Sequence, residues 1–253
     1  MTQTATRLVR TWPFLRAHTH RWVPDRVWES DDAAVLRVPR STDRVLVGEG
    51  PAPALARLLV DAGLLDGGPP EGVERLLLTR GTYAALPPGP AAALRVEATW
   101  DWLTTATAPE PVAAPGTVRV LSAPPSPESG QLRRVHDCLD AGYPERGARP
   151  EDPELTWWGL ETASGVLAGV LAADPPPPDS GGGVRLSAVA VRPDHRRRGL
   201  ARALTAAAIE WGLSRAALVH LGIWADNDAA RRLYTGLGLT AAHRVENVVG
   251  GQA

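Results

Sequence analysis

Lysine is missing from this 253-residue chain: all 27 of its basic residues are arginine. Without an amine side chain there is no pyridoxal Schiff base, no Walker-type phosphate loop and no lysine nucleophile. Cysteine occurs once, at Cys138, which excludes an intramolecular disulfide and a cysteine-rich zinc site. Phenylalanine and methionine also occur once each against nine tryptophans, a usage that fits the coding bias of a GC-rich genome. Neither sign of charge dominates. The 27 basic and 28 acidic residues leave a net charge of −1 (27 − 28), with a pI near 6.6. That argues against a protein held on nucleic acid or a membrane by a global basic field. Long apolar runs are lacking too: Arg, Asp, Gly or Pro interrupt each one well short of a membrane span. The first ten residues carry two arginines, and an aromatic and basic mixture follows where a signal peptide needs an unbroken apolar stretch. A soluble, cytoplasmic protein is expected, with neither nucleic acid nor membrane among its partners.

Apolar residues at 44% and charged residues at 22% are the proportions of a globular protein, and the length suits one large domain or two. Composition suggests an N-terminal α+β domain over 1–103, a linker over 104–116 and a second domain over 117–253. The linker reads TTATAPEPVAAPG, Thr, Ala and Pro without apolar periodicity. In the first domain, 51–65 places Leu55, Leu58, Leu59, Ala62 and Leu65 on one helical face. Residues 73–79 and 94–102 read as strands, and 35–38 with 44–47 as a short hairpin. This half contains neither a His, Asp and Ser cluster nor a glycine loop feeding a helix. Trp12, Trp22, Trp28, Trp100 and Trp102 are expected to pack.

The second domain is more informative. Residues 117–121 read as a strand, 128–141 as a helix, and 156–161 with 166–172 as an antiparallel pair turning at Ser164-Gly165. After the Pro- and Gly-rich loop 174–183, VRLSAVAV (184–191) reads as a strand, RPDHRRRG as a turn, and 200–213 as a helix with Leu200, Leu204, Ala208 and Trp211 on one face. Arg196, Arg197 and Arg198 sit where that helix begins, the end whose partial positive charge disfavours cations. A local rule broken without compensation often marks a functional site. A bound polyanion would compensate: Gly199 lets a phosphate approach the backbone, and first-turn N–H groups point at it. A solvated, arginine-rich helix start accounts for this stretch equally well.

A second stretch breaks that tie. After strand-like 218–224 comes ADNDAARRLYTGLGL, with Asn227 as a good N-cap and Ala230, Leu233, Tyr234 and Leu237 at helical spacing. Arg196-x-x-Gly199-x-Ala201, followed by Asn227-x-x-Ala230-x-x-x-Tyr234-x-x-x-Gly238-Leu239, resembles the GNAT superfamily of acyl-CoA-dependent N-acyltransferases. The resemblance covers about 117–249. The first half lacks both motifs, which leaves room for a degenerate copy of the same fold, as in tandem members. The fold class implied is α/β (α+β): a GNAT-like mixed sheet flanked by helices, with a smaller N-terminal α+β domain.

The resemblance implies acetyl-CoA as co-substrate, an amine as acceptor, and no metal. Backbone groups of Val189 and Val191 would hold the acyl-pantetheine arm and polarise the thioester carbonyl. Arg196, Arg197, Arg198, Gly199, Ala201 and Arg202 would surround the pyrophosphate, with Asn227 and Ala230 lining the rest of the coenzyme. Tyr234 matches the position whose hydroxyl protonates the departing thiolate. A neutral primary amine attacks the thioester directly, so catalysis rests on positioning and proton traffic. One departure concerns the base: where some members place a glutamate, this chain has Arg185, leaving Glu161, or Ser187 through water, as candidates. Two rival readings stay open, a non-catalytic acyl-CoA-binding module and a nucleic-acid-binding arginine cluster. A homodimer is an allowed assembly.

The remaining candidates have plainer explanations. His18, His20, His136, His195, His220 and His243 are too scattered for a metal cage. Cys138 in an amphipathic helix reads as a small core residue. Trp157 and Trp158, adjacent on a strand, should face opposite sides, and core packing is the expectation for both. Residues 94–102 are a strand to spare for the sheet of the second domain, which has only 239–249 left to complete it after Tyr234.

Overall fold

The computed structural model describes residues 12–40, 43–114, 116–121 and 130–251. The expected start of a helix at 128 and the first ten residues lie outside them. By compactness the chain forms two units: Met1–Trp102 with Ile223–Asn227 and Ala241–Ala253, and Leu103–Gly222 with Asp228–Thr240. Compactness therefore does not follow chain order as a cut between 103 and 117 would. The last strand, from Ala241 on, is counted with the first unit, and Leu103–Thr105 with the second.

The first unit contains α1 (Pro13–Ala17), β1 (Arg26–Glu29), β2 (Ala34–Pro39), β3 (Arg44–Glu49), α2 (Ala52–Asp61), β4 (Val73–Thr79), α3 (Pro88–Ala92), most of β5 (Leu94–Thr105), and β11 (Thr240–Gly250). Proline in the first turn of α2 loses no needed N–H, and the helix buries Leu55, Leu58 and Leu59. These meet Leu46, Leu76, Leu78 and Val248 in one core. The hairpin β2–β3 forms as expected, with Ala34 opposite Glu49 and Pro39 opposite Arg44. The α2 crossover then brings β4 parallel to β3, and β11 runs antiparallel to β4, Val245 facing Thr79. Polar side chains fix β11 there. Glu246 accepts the Gly81 and Tyr83 N–H groups at 2.9 and 2.6 Å, and Asn247 Oδ1 accepts from Trp100 Nε1 at 2.9 Å. Phe14 sits edge-on to Trp22 and Trp102 and is stacked on His243 at 4.5 Å. Trp22, Trp28, Trp100 and Trp102 pack here.

The second unit contains β6 (Thr117–Val120), α4 (Gln131–Gly142), β7 (Thr156–Glu161), β8 (Leu167–Asp174), β9 (Val184–Val191), α5 (Leu200–Leu213), the first part of β10 (Val219–Trp224) and α6 (Asp228–Thr235). Strands β6 to β9 pair antiparallel in chain order, and β10 lies parallel to β9. Every residue of β8 is buried, because helices cover both faces. On one, Val135, Cys138 and Leu139 of α4 meet Trp157, Val170, Ala172 and Ala190. On the other, Trp158 packs edge-on against Trp211 of α5, ring centroids 6.1 Å apart. Both strand tryptophans are thus core residues, facing opposite sides. Thr104 Oγ1, at the end of β5, donates to Val219 O at 3.1 Å. This is the mixed α/β architecture of helices on a sheet that the sequence implied.

Candidate functional site

In the second unit, β9 is irregular along both edges. Val170 pairs with Ala190 and Ala172 with Ser187, so β9 carries one residue more than β8 between those pairs. Ala188 takes up the excess with φ +49°. Left-handed backbone costs a residue with a Cβ about 1–2 kcal/mol, and such strain collects at functional places. On its other edge the parallel ladder with β10 covers only Val184 with Val219 and Arg185 with His220. Beyond these two pairs the strands splay. An extended polar ligand can then bond to the β9 backbone near Val189 and Val191, both half-buried.

The loop after β9 turns at Pro193–His195 and passes through Arg197 at φ +62° and Gly199 at φ +78° into α5. A Cβ on Gly199 would meet nothing within 4 Å, so backbone conformation rather than space selects glycine there. No side chain caps α5, and its first turn holds no acid. The arginines divide into distinct tasks. Arg196 donates from Nε to Val191 O at 3.2 Å and from Nη2 to Gly142 O at 3.1 Å, tying the loop to the ends of β9 and α4. Arg198 donates to Asp194 O at 3.1 Å within the loop. Arg202 donates to Gly236 O at 2.9 Å, just past the end of α6. Among the described residues Arg197 makes no hydrogen bond or ion pair, and its side chain is exposed. Ala201 lies half-buried in the first turn.

Ala230 and Tyr234 lie one turn apart on α6. Tyr234 is buried, and burial, with Tyr143 as the lesser cause, pushes its phenol far above the usual range. Tyr143 stands at the end of α4, where a Cβ on Gly142 would lie 2.9 Å from Val191 O. The end of α4, the end of β9 and the arginine loop are thus in contact, and Tyr143 is close enough to Tyr234 to bias its charge. Asn227 directly precedes α6 but clusters with the first unit, where its N–H donates to Trp224 O at 3.0 Å.

Neither base candidate is well placed to take a proton. Burial raises the Glu161 carboxyl, but hydrogen bonds from Arg134 at 2.6 Å and Arg119 at 2.9 Å outweigh it and hold the group below its ordinary value. Ser187 Oγ is buried without a hydrogen-bond partner. Arg185 pairs with Asp174 at 3.3 Å, which neutralises the attraction it could offer an acidic substrate. The Cys138 thiol is buried and raised to about 11 by desolvation, the state of an inert core cysteine. Among the described residues no three His, Cys, Asp or Glu side chains are grouped to hold a metal, and no helix is long and apolar enough to cross a membrane. Sequence reasoning missed Ala188 and Tyr143. Nothing in VRLSAVAV marks a left-handed alanine, and Tyr143 reads only as the residue before a loop.

A splayed parallel strand pair thus leads into an arginine- and glycine-bearing helix start. Residues 124–239 match the sequence model of the Acetyltransferase (GNAT) family. Similar solved structures cover most of the chain. A putative GNAT-family acetyltransferase from Novosphingobium aromaticivorans shares 21% identity over 95% of this chain and 98% of its own, with a TM-score of 0.54. A GCN5-related N-acetyltransferase from Kribbella flavida shares 17% over 95% and 94%, TM-score 0.58. A tandem GNAT protein from the clavulanic acid biosynthesis pathway shares 15% over 97% and 92%, TM-score 0.52. None of the curated proteins matches this sequence. Family and fold support acyl transfer in general terms.

Proposed function

We propose that the protein moves an acetyl or other short acyl group from acyl-CoA to a primary amine by direct attack. The observation that supports this most is the bulged, splayed β9 running into the Arg196–Gly199 loop and an uncapped α5. In this reading the backbone at Val189 and Val191 receives the pantetheine arm and the thioester carbonyl. Arg197 is the principal pyrophosphate ligand, since its guanidinium has no other partner among the described residues. Arg196 and Arg198 hold the loop open beside it, Gly199 and Ala201 offer first-turn N–H groups, and Arg202 fixes α6 through Gly236. Asn227 and Ala230 line the remaining coenzyme.

The neutral amine adds to the thioester carbonyl, the C–S bond breaks, and the nitrogen sheds its proton as the amide forms. The Tyr234 hydroxyl donates to the departing sulfur. Its raised pKa keeps it protonated at every working pH, so the donor is always present. Full transfer to the thiolate requires the phenol to regain a proton as the amine loses one. Thiol release from acetyl-CoA, measured with amines, arylamines, amino acids and peptides, tests the proposal. Release with none of them would leave the second reading, a non-catalytic acyl-CoA-binding module. One observation favours that reading: Glu161 is already committed to two arginines.

A further inference from the structure

One face of the first unit's strands carries buried polar groups that lack partners. Val47 of β3 pairs with Leu77 of β4, and Val245 of β11 faces Thr79. Alternate strand residues share a face, so Glu49, Thr79 and His243 lie on the same side as Val47 and Val245. Thr79 Oγ1 and His243 Nε2 are buried without a hydrogen-bond partner. Glu49 is 8% exposed, and its Oε1 lies 3.7 Å from His243 Nδ1, beyond hydrogen-bond length. The short helix α1 covers this cluster. Its Leu15 N–H donates to Glu49 Oε2 at 3.3 Å, and Phe14 stacks on His243 at 4.5 Å.

Backbone hydrogen bonds of the segment 12–22 close inside it: the Arg16 N–H donates to Trp12 O, that of His18 to Leu15 O and that of Trp22 to His18 O. His18 Nδ1 donates to Phe14 O at 2.8 Å, and its ring stacks on Trp22 at 4.0 Å. These bonds travel with the segment if it lifts. What it gives up is the Glu49 bond and the contacts of Phe14 with His243, Trp100 and Trp102. The cluster meets His18 from α1, Ala34 from β2, Thr79 from β4, Trp100 and Trp102 from β5, and His243 from β11. The nearby arginines are engaged or in water: Arg80 binds Asp101 at 2.6 Å, and Arg16 and Arg244 are exposed.

We propose that α1 is a latch released by alkali: loss of the Glu49 proton lifts 12–22 from β3, β4 and β11, while α2 stays packed on the opposite face. That opposite face is the core of Leu46, Leu76, Leu78 and Val248 against α2. A carboxylate left unpaired in an apolar interface is costly, and opening hydrates it. In the closed form burial holds Glu49 up to about 8 and His243 down to about 4. Hydrated in the open form, they return to 4.5 and 6.5. Their effects on opening oppose each other between pH 4.5 and 6.5. From 6.5 to 8 the open form has lost the Glu49 proton and the closed form keeps it. The open population then rises about tenfold per pH unit, roughly thirtyfold in all.

Native-state hydrogen exchange on the full chain tests the latch, read at Leu15 and His18 for α1 and at Leu58 and Leu59 for α2. After correction for intrinsic rates, opening of α1 should rise roughly thirtyfold from pH 6.5 to 8. It should be insensitive to low urea, with α2 protected at least about tenfold more strongly. Glu49→Gln keeps an acceptor for the Leu15 N–H but cannot ionise, so its α1 exchange should stay flat over that range. Exchange of α1 and α2 together, with one urea dependence, would mean global unfolding and overturn the latch. So would a flat wild-type profile, or the same rise in a folded Glu49→Gln variant. Should that variant not fold, the wild-type pH profile and urea dependence decide alone.

Discussion

Glu49 Oε1 and His243 Nδ1 lie 3.7 Å apart inside the first unit, yet they form no ion pair because burial keeps both neutral. Desolvation raises Glu49 from 4.5 to about 8, against a smaller lowering effect of the Leu15 N–H that donates to Oε2 at 3.3 Å. Desolvation lowers His243 from 6.5 to about 4. The contribution of Glu49 is complete below pH 4.5 and is lost as pH rises through 8. The penalty from His243 is present at low pH and is relieved as pH rises from 4 to 6.5. The two slopes oppose each other between pH 4.5 and 6.5, and only that of Glu49 remains from 6.5 to 8. Stability should therefore fall by about 1.4 kcal/mol per pH unit over that last interval. Denaturant midpoints of the wild type should show this slope and those of Glu49→Gln should not; equal slopes would remove Glu49 as its source.

The loop before α5 makes a separable prediction. Acetyl-CoA should raise Tm by mass action, and Gly199→Glu should abolish that shift. Glutamate at φ +78° strains the backbone and sets a negative charge where the phosphates are expected. Arg197→Ala removes a side chain with no partner among the described residues, so it should leave the unliganded Tm unchanged and reduce the ligand shift. An undiminished shift in both variants would refute the loop assignment.

For Tyr234→Phe, kcat should fall by ~10²-fold to 10⁴-fold, as for loss of a general acid, with little change in the affinity for acetyl-CoA because the ring is kept. Since the phenol stays protonated throughout the working range, the wild-type profile should show no loss of rate on the alkaline side attributable to it. Normal turnover in the variant would make Tyr234 a packing residue.

Residues 115–253 expressed alone should aggregate or fail to bind acetyl-CoA. That fragment keeps β11 but loses β4, and with it the partners of Val245, Glu246, Asn247 and Val248. A soluble, monomeric, fully binding fragment, judged by light scattering and calorimetry, would show that β11 does not need them.

What could be read from the sequence was what is local. The helix face of Leu200, Leu204 and Ala208 follows from spacing alone, and all three are buried. The Arg196–Ala201 and Asn227–Tyr234 motifs are runs of neighbours whose chemistry travels with their order. What could not be read depends on distant partners. The assignment of β11 to the first unit is decided by Gly81, Tyr83 and Trp100, and the Ala188 conformation by a register that only β8 can set. The individual roles of Arg196, Arg198 and Arg202 were hidden for the same reason: their acceptors are backbone carbonyls that carry no sequence signature.

Glu246 closes onto Gly81 across 165 residues of chain. On the ribosome, at roughly 5–20 residues per second, β4 would wait on the order of 10–30 s for β11 to be synthesised. Throughout that time its Leu76–Thr79 edge has no antiparallel neighbour to shield it. Nascent chains of this protein should therefore be clients of ribosome-associated chaperones late in translation. Their demand should track the elongation rate through the second unit rather than the stability of the finished fold.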